Sequence, residues 1–106
     1  MAGRLIQRGE IWKPDLGYHG KIRPVVVLSI PFLDDERTLV TYVPRTTKAW
    51  GTRFEVAHPA RQFLPGVFDV QSIGSAPAVS FLQKLTPLDE ATLTLIEAKL
   101  RLSMNL

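Results

Sequence analysis

A mainly β protein, a small antiparallel β-barrel finished by a C-terminal α-helix, is what this sequence predicts, on three observations. Residues 10–85 run as short apolar stretches of strand length, divided by turn residues. The connections are too short to hold crossover helices, which makes neighbouring strands antiparallel. From Thr86 onward the apolar residues recur at helical rather than strand spacing.

Glu10 to Asp15 reads as the first strand, entered through the Arg8-Gly9 turn. Ile22 to Ser29 is the second, and its Val25-Val26-Val27-Leu28 run suits a central strand buried on both faces. Pro31 to Arg37, with Asp34-Asp35-Glu36, is a surface turn or short helix. Thr38 to Val43 is the third strand, dense in β-formers. A basic, turn-rich loop from Pro44 to Thr52 leads to a fourth strand, Arg53 to Val56. Gly66 to Ile73 and Val79 to Leu85 are the fifth and sixth. In the terminal helix, Thr86 fits the N-cap, Pro87 the first helical position, and Asp89 a first-turn acid favoured by the dipole. Leu88, Ala91, Leu95, Ala98 and Leu102 form one stripe, and Leu93, Ile96 and Leu100 a second, more than about 90° away. One stripe closes the barrel. The other either wedges into the same core or meets a second protein.

At 106 residues the chain reads as a single domain with one modest core. A hydrophobic content of 45% and a charged content of 22% are those of a globular protein. Cysteine is absent, which excludes disulfides and thiolate metal sites and fits a reducing compartment. With only two histidines, His19 and His58, an all-protein catalytic zinc site is not expected. No metal or cofactor is expected. Met1 to Gln7 lacks the apolar run of a signal peptide, and the tract from Pro24 to Leu33 is too short and proline-broken to span a bilayer. The expectation is a cytoplasmic protein with no membrane partner.

Residues 1–62 hold ten Lys/Arg against six Asp/Glu, a balance of +4. Residues 63–106 hold three against four, a balance of −1. A polyanion-binding face requires such an excess, and a basic domain charged only for solubility shows it too. In the basic half, Arg23 stands at the mouth of the second strand, where Pro24 fixes the backbone after it. It is either an anchored phosphate ligand or an ordinary exposed arginine. Thr46 lies in the Val43-Pro44-Arg45-Thr46-Thr47 string that follows the third strand, as a phosphate-facing hydroxyl or a turn hydroxyl bonding its own backbone. Arg45, Thr47, Lys48 and Lys21 lie alongside as phosphate-binding groups. His19 titrates in the range acid–base chemistry uses. Strand alternation puts Asp69 and Gln71 on one face, Asp69 serving either as an acid–base group or as a structural partner of Arg23 or Arg45. Trp50 and Tyr18 either stack on unpaired bases or, for Trp50, lid the core, while Trp12 belongs to the core. RNA transesterification can run on such a set. The 2′-hydroxyl is the nucleophile, and a fixed guanidinium meets the phosphorane with two charge-assisted bonds.

Four strings in order, Gly9-Glu10-Ile11-Trp12, Arg23-Pro24-Val25-Val26-Val27-Leu28-Ser29, Pro44-Arg45-Thr46-Thr47 and Leu82-Gln83-Lys84-Leu85-Thr86-Pro87, resemble the MazF/PemK family of toxins from bacterial toxin–antitoxin pairs. The resemblance implies an SH3-like barrel with a terminal helix, a homodimer, and a metal-independent endoribonuclease. Such an enzyme cuts single-stranded RNA at short sequences and is silenced by a cognate acidic antitoxin. It makes Arg23 a catalytic or phosphate-binding residue and Thr46 the hydroxyl facing the scissile phosphate. His19 matches the family by position only, because the loop is short and lacks the usual Glu-Gln pair. Phe68-Asp69-Val70-Gln71-Ser72 departs from the family's Asp-Gln-basic pattern, with a residue inserted and no arginine after it. Two other readings stand beside this one: a gyrase-poisoning toxin without catalysis, and an SH3-like adaptor or inactive toxin.

Overall fold

Val25, Val26 and Val27 are fully buried and form the short strand at the middle of the sheet. The structure is a computed structural model that describes residues 6–17 and 23–106. Its strands are β1 (Glu10–Pro14), β2 (Val25–Val27), β3 (Leu39–Thr46), β4 (Glu55–His58), β5 (Gly66–Asp69), β6 (Gly74–Pro77) and β7 (Phe81–Pro87), followed by helix α1 (Glu90–Met104). The sheet runs β4-β5-β3-β2-β1-β7, with β6 also on β3, and every pair is antiparallel. The expected mainly β class and terminal helix are both present. The sheet curls like a barrel, but β4 and β7 remain its two ends.

Alternation along β2 sorts the core into two layers. Val25 and Val27 pack with Trp12, Val40, Tyr42 and Phe81, and Val26 packs with Ile11, Val43, Phe68 and Ile96. Trp12 is core, as expected, and its Nε1 donates to Glu10 Oε1 at 3.1 Å. β3 changes partner along its length, pairing β6 through Leu39–Tyr42 and β5 through Arg45–Thr46. Pro44 lies at that change, where its missing N–H deprives no neighbour of a bond.

The helix begins later than its sequence suggests. Thr86 and Pro87 end β7, with Pro87 opposite Glu10 of β1. Asp89 is the N-cap instead, its carboxylate accepting the Thr92 N–H at 2.9 Å. Pairing with β1 outweighed a local capping signal. Of the two helical stripes, Leu93, Ile96 and Leu100 pack on the core, while Leu95 and Leu102 are 54% and 52% exposed.

Other boundaries move for similar reasons. β3 runs through Pro44 to Thr46, so the basic loop starts later than expected. The fourth strand is Glu55–His58 rather than Arg53–Val56, because residues 52–54 form a turn closed by Glu55. The fifth stops at Asp69, which caps a 3₁₀ turn over Val70–Ser72. Gln71 therefore lies on a turn, and strand alternation does not govern it. Val79 and Ser80 belong to a second 3₁₀ turn before β7. β6 was not foreseen, since Gly74-Ser75-Ala76-Pro77 has few strand formers and is ordered by the edge of β3.

Candidate functional site

The β2–β3 ladder continues past the valines, with the Arg45 N–H donating to the Pro24 carbonyl at 2.8 Å. Val25 faces Pro44, and Pro24 therefore faces Arg45. One step further, the same register sets Arg23 across from Thr46 on the neighbouring strand. Opposed residues of an antiparallel pair project from one face, with Cβ atoms about 4.5–5.5 Å apart. Arg23 is exposed and makes no side-chain hydrogen bond or ion pair with a described residue. The Thr46 hydroxyl accepts the Lys48 N–H at 3.1 Å, a turn hydroxyl whose own O–H is left to donate. Thr47 and Lys48 follow on the exposed turn.

On its other edge Thr46 pairs with Val67, two residues before Asp69 on the same side of β5. Asp69 in turn faces Glu55 on β4. Asp69 bonds its own turn, accepting the Gln71 N–H at 3.2 Å and the Ser72 hydroxyl at 2.8 Å, and pairs with neither Arg23 nor Arg45. Trp50, Asp69 and Gln71 nevertheless line a single cavity of about 320 Å³, with Thr52, Glu55 and Ser72. Trp50 is 84% exposed and does not lid the core.

Arg45 parts company with the phosphate-binding set. It is 3% exposed, and its donors are directed inward. Nε donates to His58 Nδ1 at 2.9 Å, and Nη2 donates to the carbonyls of His58 and Leu64 at 2.8 and 2.6 Å. The guanidinium also sits over the Phe63 ring, 4.9 Å from its centroid. A Cβ at residue 66 would lie 2.8 Å from Arg45 Nη1 and 2.6 Å from the Thr46 carbonyl, which is why glycine occupies it. The expectation of a phosphate-neutralising Arg45 is corrected: it ties the 58–66 segment to β3. His19, Lys21 and Tyr18 lie outside the described residues.

Three residues with evident roles escaped the sequence reading. His58 is buried against Phe63 and Phe68. Burial and the Arg45 charge hold its pKa below the usual histidine value, with Asp89 opposing. Nothing in the sequence pairs it with Arg45. Glu55 binds the backbone N–H groups of Trp50, Gly51 and Thr52 at 2.8, 2.8 and 3.2 Å. These bonds, that from Trp50 foremost, hold its carboxyl below the ordinary range despite some desolvation. Here a signal existed: Thr52-x-x-Glu55 is the capping-box spacing, used at a turn. Glu10 is buried, which raises its pKa, but Lys84 at 2.6 Å and the N–H groups of Gln7 and Trp12 outweigh burial and hold the value low.

Residues 7–104 match the profile of the PemK-like, MazF-like toxins of type II toxin–antitoxin systems. The chain belongs to the MazF/PemK toxin family. Solved structures of the family have the same fold. A MazE–MazF complex from Deinococcus radiodurans is similar with a TM-score of 0.80 at 25% identity, over 94% of this chain and 95% of that one. A mycobacterial endoribonuclease in complex with its cognate antitoxin gives a TM-score of 0.80 at 23% identity, again over 94% and 95%. The Mycobacterium tuberculosis toxin MazF-mt6 gives 0.76 at 21% identity, over 92% and 97%. No curated protein matches the chain in sequence. The four motif strings thus led to the right family, and this MazF/PemK protein is the toxin of a type II pair. Among its described residues no helix is long and apolar enough to cross a membrane.

Proposed function

We propose that this MazF/PemK toxin is a metal-independent, sequence-specific endoribonuclease. It cleaves single-stranded mRNA by attack of the 2′-hydroxyl, leaving 2′,3′-cyclic phosphate and 5′-hydroxyl ends. The observation that carries this reading is that Arg23 lies across from Thr46 where the central β2–β3 pair ends. A guanidinium with no partner among the described residues can meet two non-bridging oxygens of the phosphorane at once. The Thr46 O–H supplies a third, weaker bond, and Lys48 and Thr47 take flanking phosphates. His19 and Asp69 are assigned the proton transfers from the attacking hydroxyl and to the leaving oxygen, each worth about 10²–10⁴-fold where geometry permits. Lys21 also belongs to the backbone-binding set.

In this reading the toxin works in the cytoplasm as a homodimer, and an acidic antitoxin inhibits it by occupying the RNA groove. That inhibition weakens as salt rises, since exposed charge pairs are screened over about 8 Å at physiological ionic strength. One observation favours a non-catalytic toxin: both carboxylate oxygens of Asp69 are engaged by its own turn. Incubation with a long single-stranded RNA in chelator decides between them. The expected result is cleavage to cyclic-phosphate ends, abolished by a 2′-deoxy sugar at the scissile position. Intact RNA, or cutting that requires magnesium, overturns the proposal.

A further inference from the structure

We propose that the cavity between Trp50 and the Asp69–Ser72 turn is a pocket for one unpaired nucleobase, stacked on the Trp50 indole and bearing an exocyclic amino group. It deepens the reading of the protein as an RNA-cutting toxin and rests on it.

The indole is the first reason. Trp50 leaves 84% of its surface in solvent, yet its backbone is held firmly. Glu55 binds three consecutive N–H groups, from Trp50 to Thr52, and Gly51 takes φ +83° to let the chain turn through them. An exposed aromatic on a clamped loop is a preformed stacking surface, whose ordering cost was met on folding. Glu55 is then the positioning residue of the pocket.

Charge is the second reason. Asp69 and Glu55 face each other across β4 and β5, and both line the cavity. Two carboxylates disfavour a phosphate inside the cavity, so what fills it is a base, while Asp69, on the strand next to Thr46, stays at the side of the leaving oxygen. Glu55 Oε2 and both Asp69 oxygens each accept one bond within the protein and keep a second lone pair, to which an exocyclic amino group donates and a uracil carbonyl cannot. The Gln71 carboxamide, exposed beside them, adds a donor and a further acceptor.

Position is the third. Thr46 and Asp69 share one face two residues apart in register, and Arg23 extends that face by one more strand. With strands about 4.8 Å apart and residues about 3.3 Å apart along a strand, Arg23 and Asp69 at the pocket are separated by about 12 Å, within reach of the same single strand.

The test is binding of short 2′-O-methyl oligonucleotides, which cannot be cleaved through the 2′-oxygen, read by tryptophan emission. Trp12 is buried in the core, so quenching reports Trp50. Oligo-C and oligo-A should quench and bind more tightly than oligo-U. Trp50→Ala should weaken oligo-C by about five- to 150-fold, the value of one stacked base, and Trp50→Phe should restore most of it. Glu55→Ala should raise KM for cleavage more than it lowers kcat, and Glu55→Gln, which keeps one acceptor oxygen, should fall between. Equal binding of oligo-U and oligo-C, or no loss in Trp50→Ala, overturns the pocket while leaving cleavage intact. If no oligonucleotide binds and no RNA is cut, the nuclease reading falls and the pocket with it.

Discussion

Arg23 and Arg45 stand on neighbouring rungs where β2 meets β3, and they do opposite things. Arg45, paired with Pro24, turns its guanidinium to the Val43 and Phe68 side, where His58, Phe63 and Leu64 enclose it. Arg23, one rung on, projects from the other side and meets solvent. Both follow an apolar strand or lead into one, and both adjoin a proline. The pleat separates them, since successive residues point to opposite faces. A buried arginine that spends Nε and Nη2 on internal acceptors serves stability, whereas an exposed one on rigid backbone is available to a phosphate.

The largest effect expected from that contrast is on catalysis. Arg23→Ala should lower the cleavage rate by at least about 10²–10³, or roughly 2.7–4 kcal/mol, and change unfolding free energy by less than about 0.5 kcal/mol. Arg23→Lys keeps the charge but not the planar fork and should also be impaired. Cleavage near the wild-type rate in Arg23→Ala would break the comparison from this side.

Arg45→Ala should show the reverse pattern. It leaves His58 Nδ1 and the carbonyls of His58 and Leu64 without their donor, at about 1–3 kcal/mol for a buried group so orphaned. Urea unfolding should register that loss in full. Activity per folded molecule should hold, and its collapse with stability unchanged would return Arg45 to the phosphate-binding set.

Thr46→Ala is a smaller lesion, about 1 kcal/mol for one neutral bond, hence nearly tenfold in rate. Serine at 46 should restore it, because only the hydroxyl is required. Cleavage kinetics of the two variants, side by side, test this.

The pH dependence sharpens the contrast most finely. His58 has a folded pKa held below the ordinary value near 6.5, by burial first and by the Arg45 charge second, with Asp89 opposing. The unfolded chain therefore takes up this proton first, and stability falls as pH drops below about 6.5. Urea midpoints measured from pH 7.5 to 5 should decline through that window. A flat profile would mean that His58 is not held neutral beside Arg45.

Much of the frame was legible because it depends on short-range pattern. The valine run announced a strand buried on both faces, and the helical spacing announced the helix, although neighbouring β1 drew Thr86 and Pro87 into β7. Arg23-Pro24 could be set at a strand entry from its string alone, whereas Pro44-Arg45-Thr46, read as the start of a loop, is the end of β3. Asp69-Val70-Gln71 misled, because alternation was applied to residues that form a 3₁₀ turn capped by Asp69. β6 was invisible for the opposite reason: its residues favour no strand, and an open edge of β3 ordered them.

The sequence by itself determined the fold class and the family, since periodicity and motif order are properties of the chain. Only the tertiary structure decided which of the two arginines is exposed, which helical stripe meets the core, and that Trp50, Glu55 and Asp69 surround one cavity. Those outcomes turn on contacts between residues far apart in sequence. Arg45 is buried because His58 and Leu64, 13 and 19 positions away, come back to accept its hydrogen bonds, and no local pattern encodes that return.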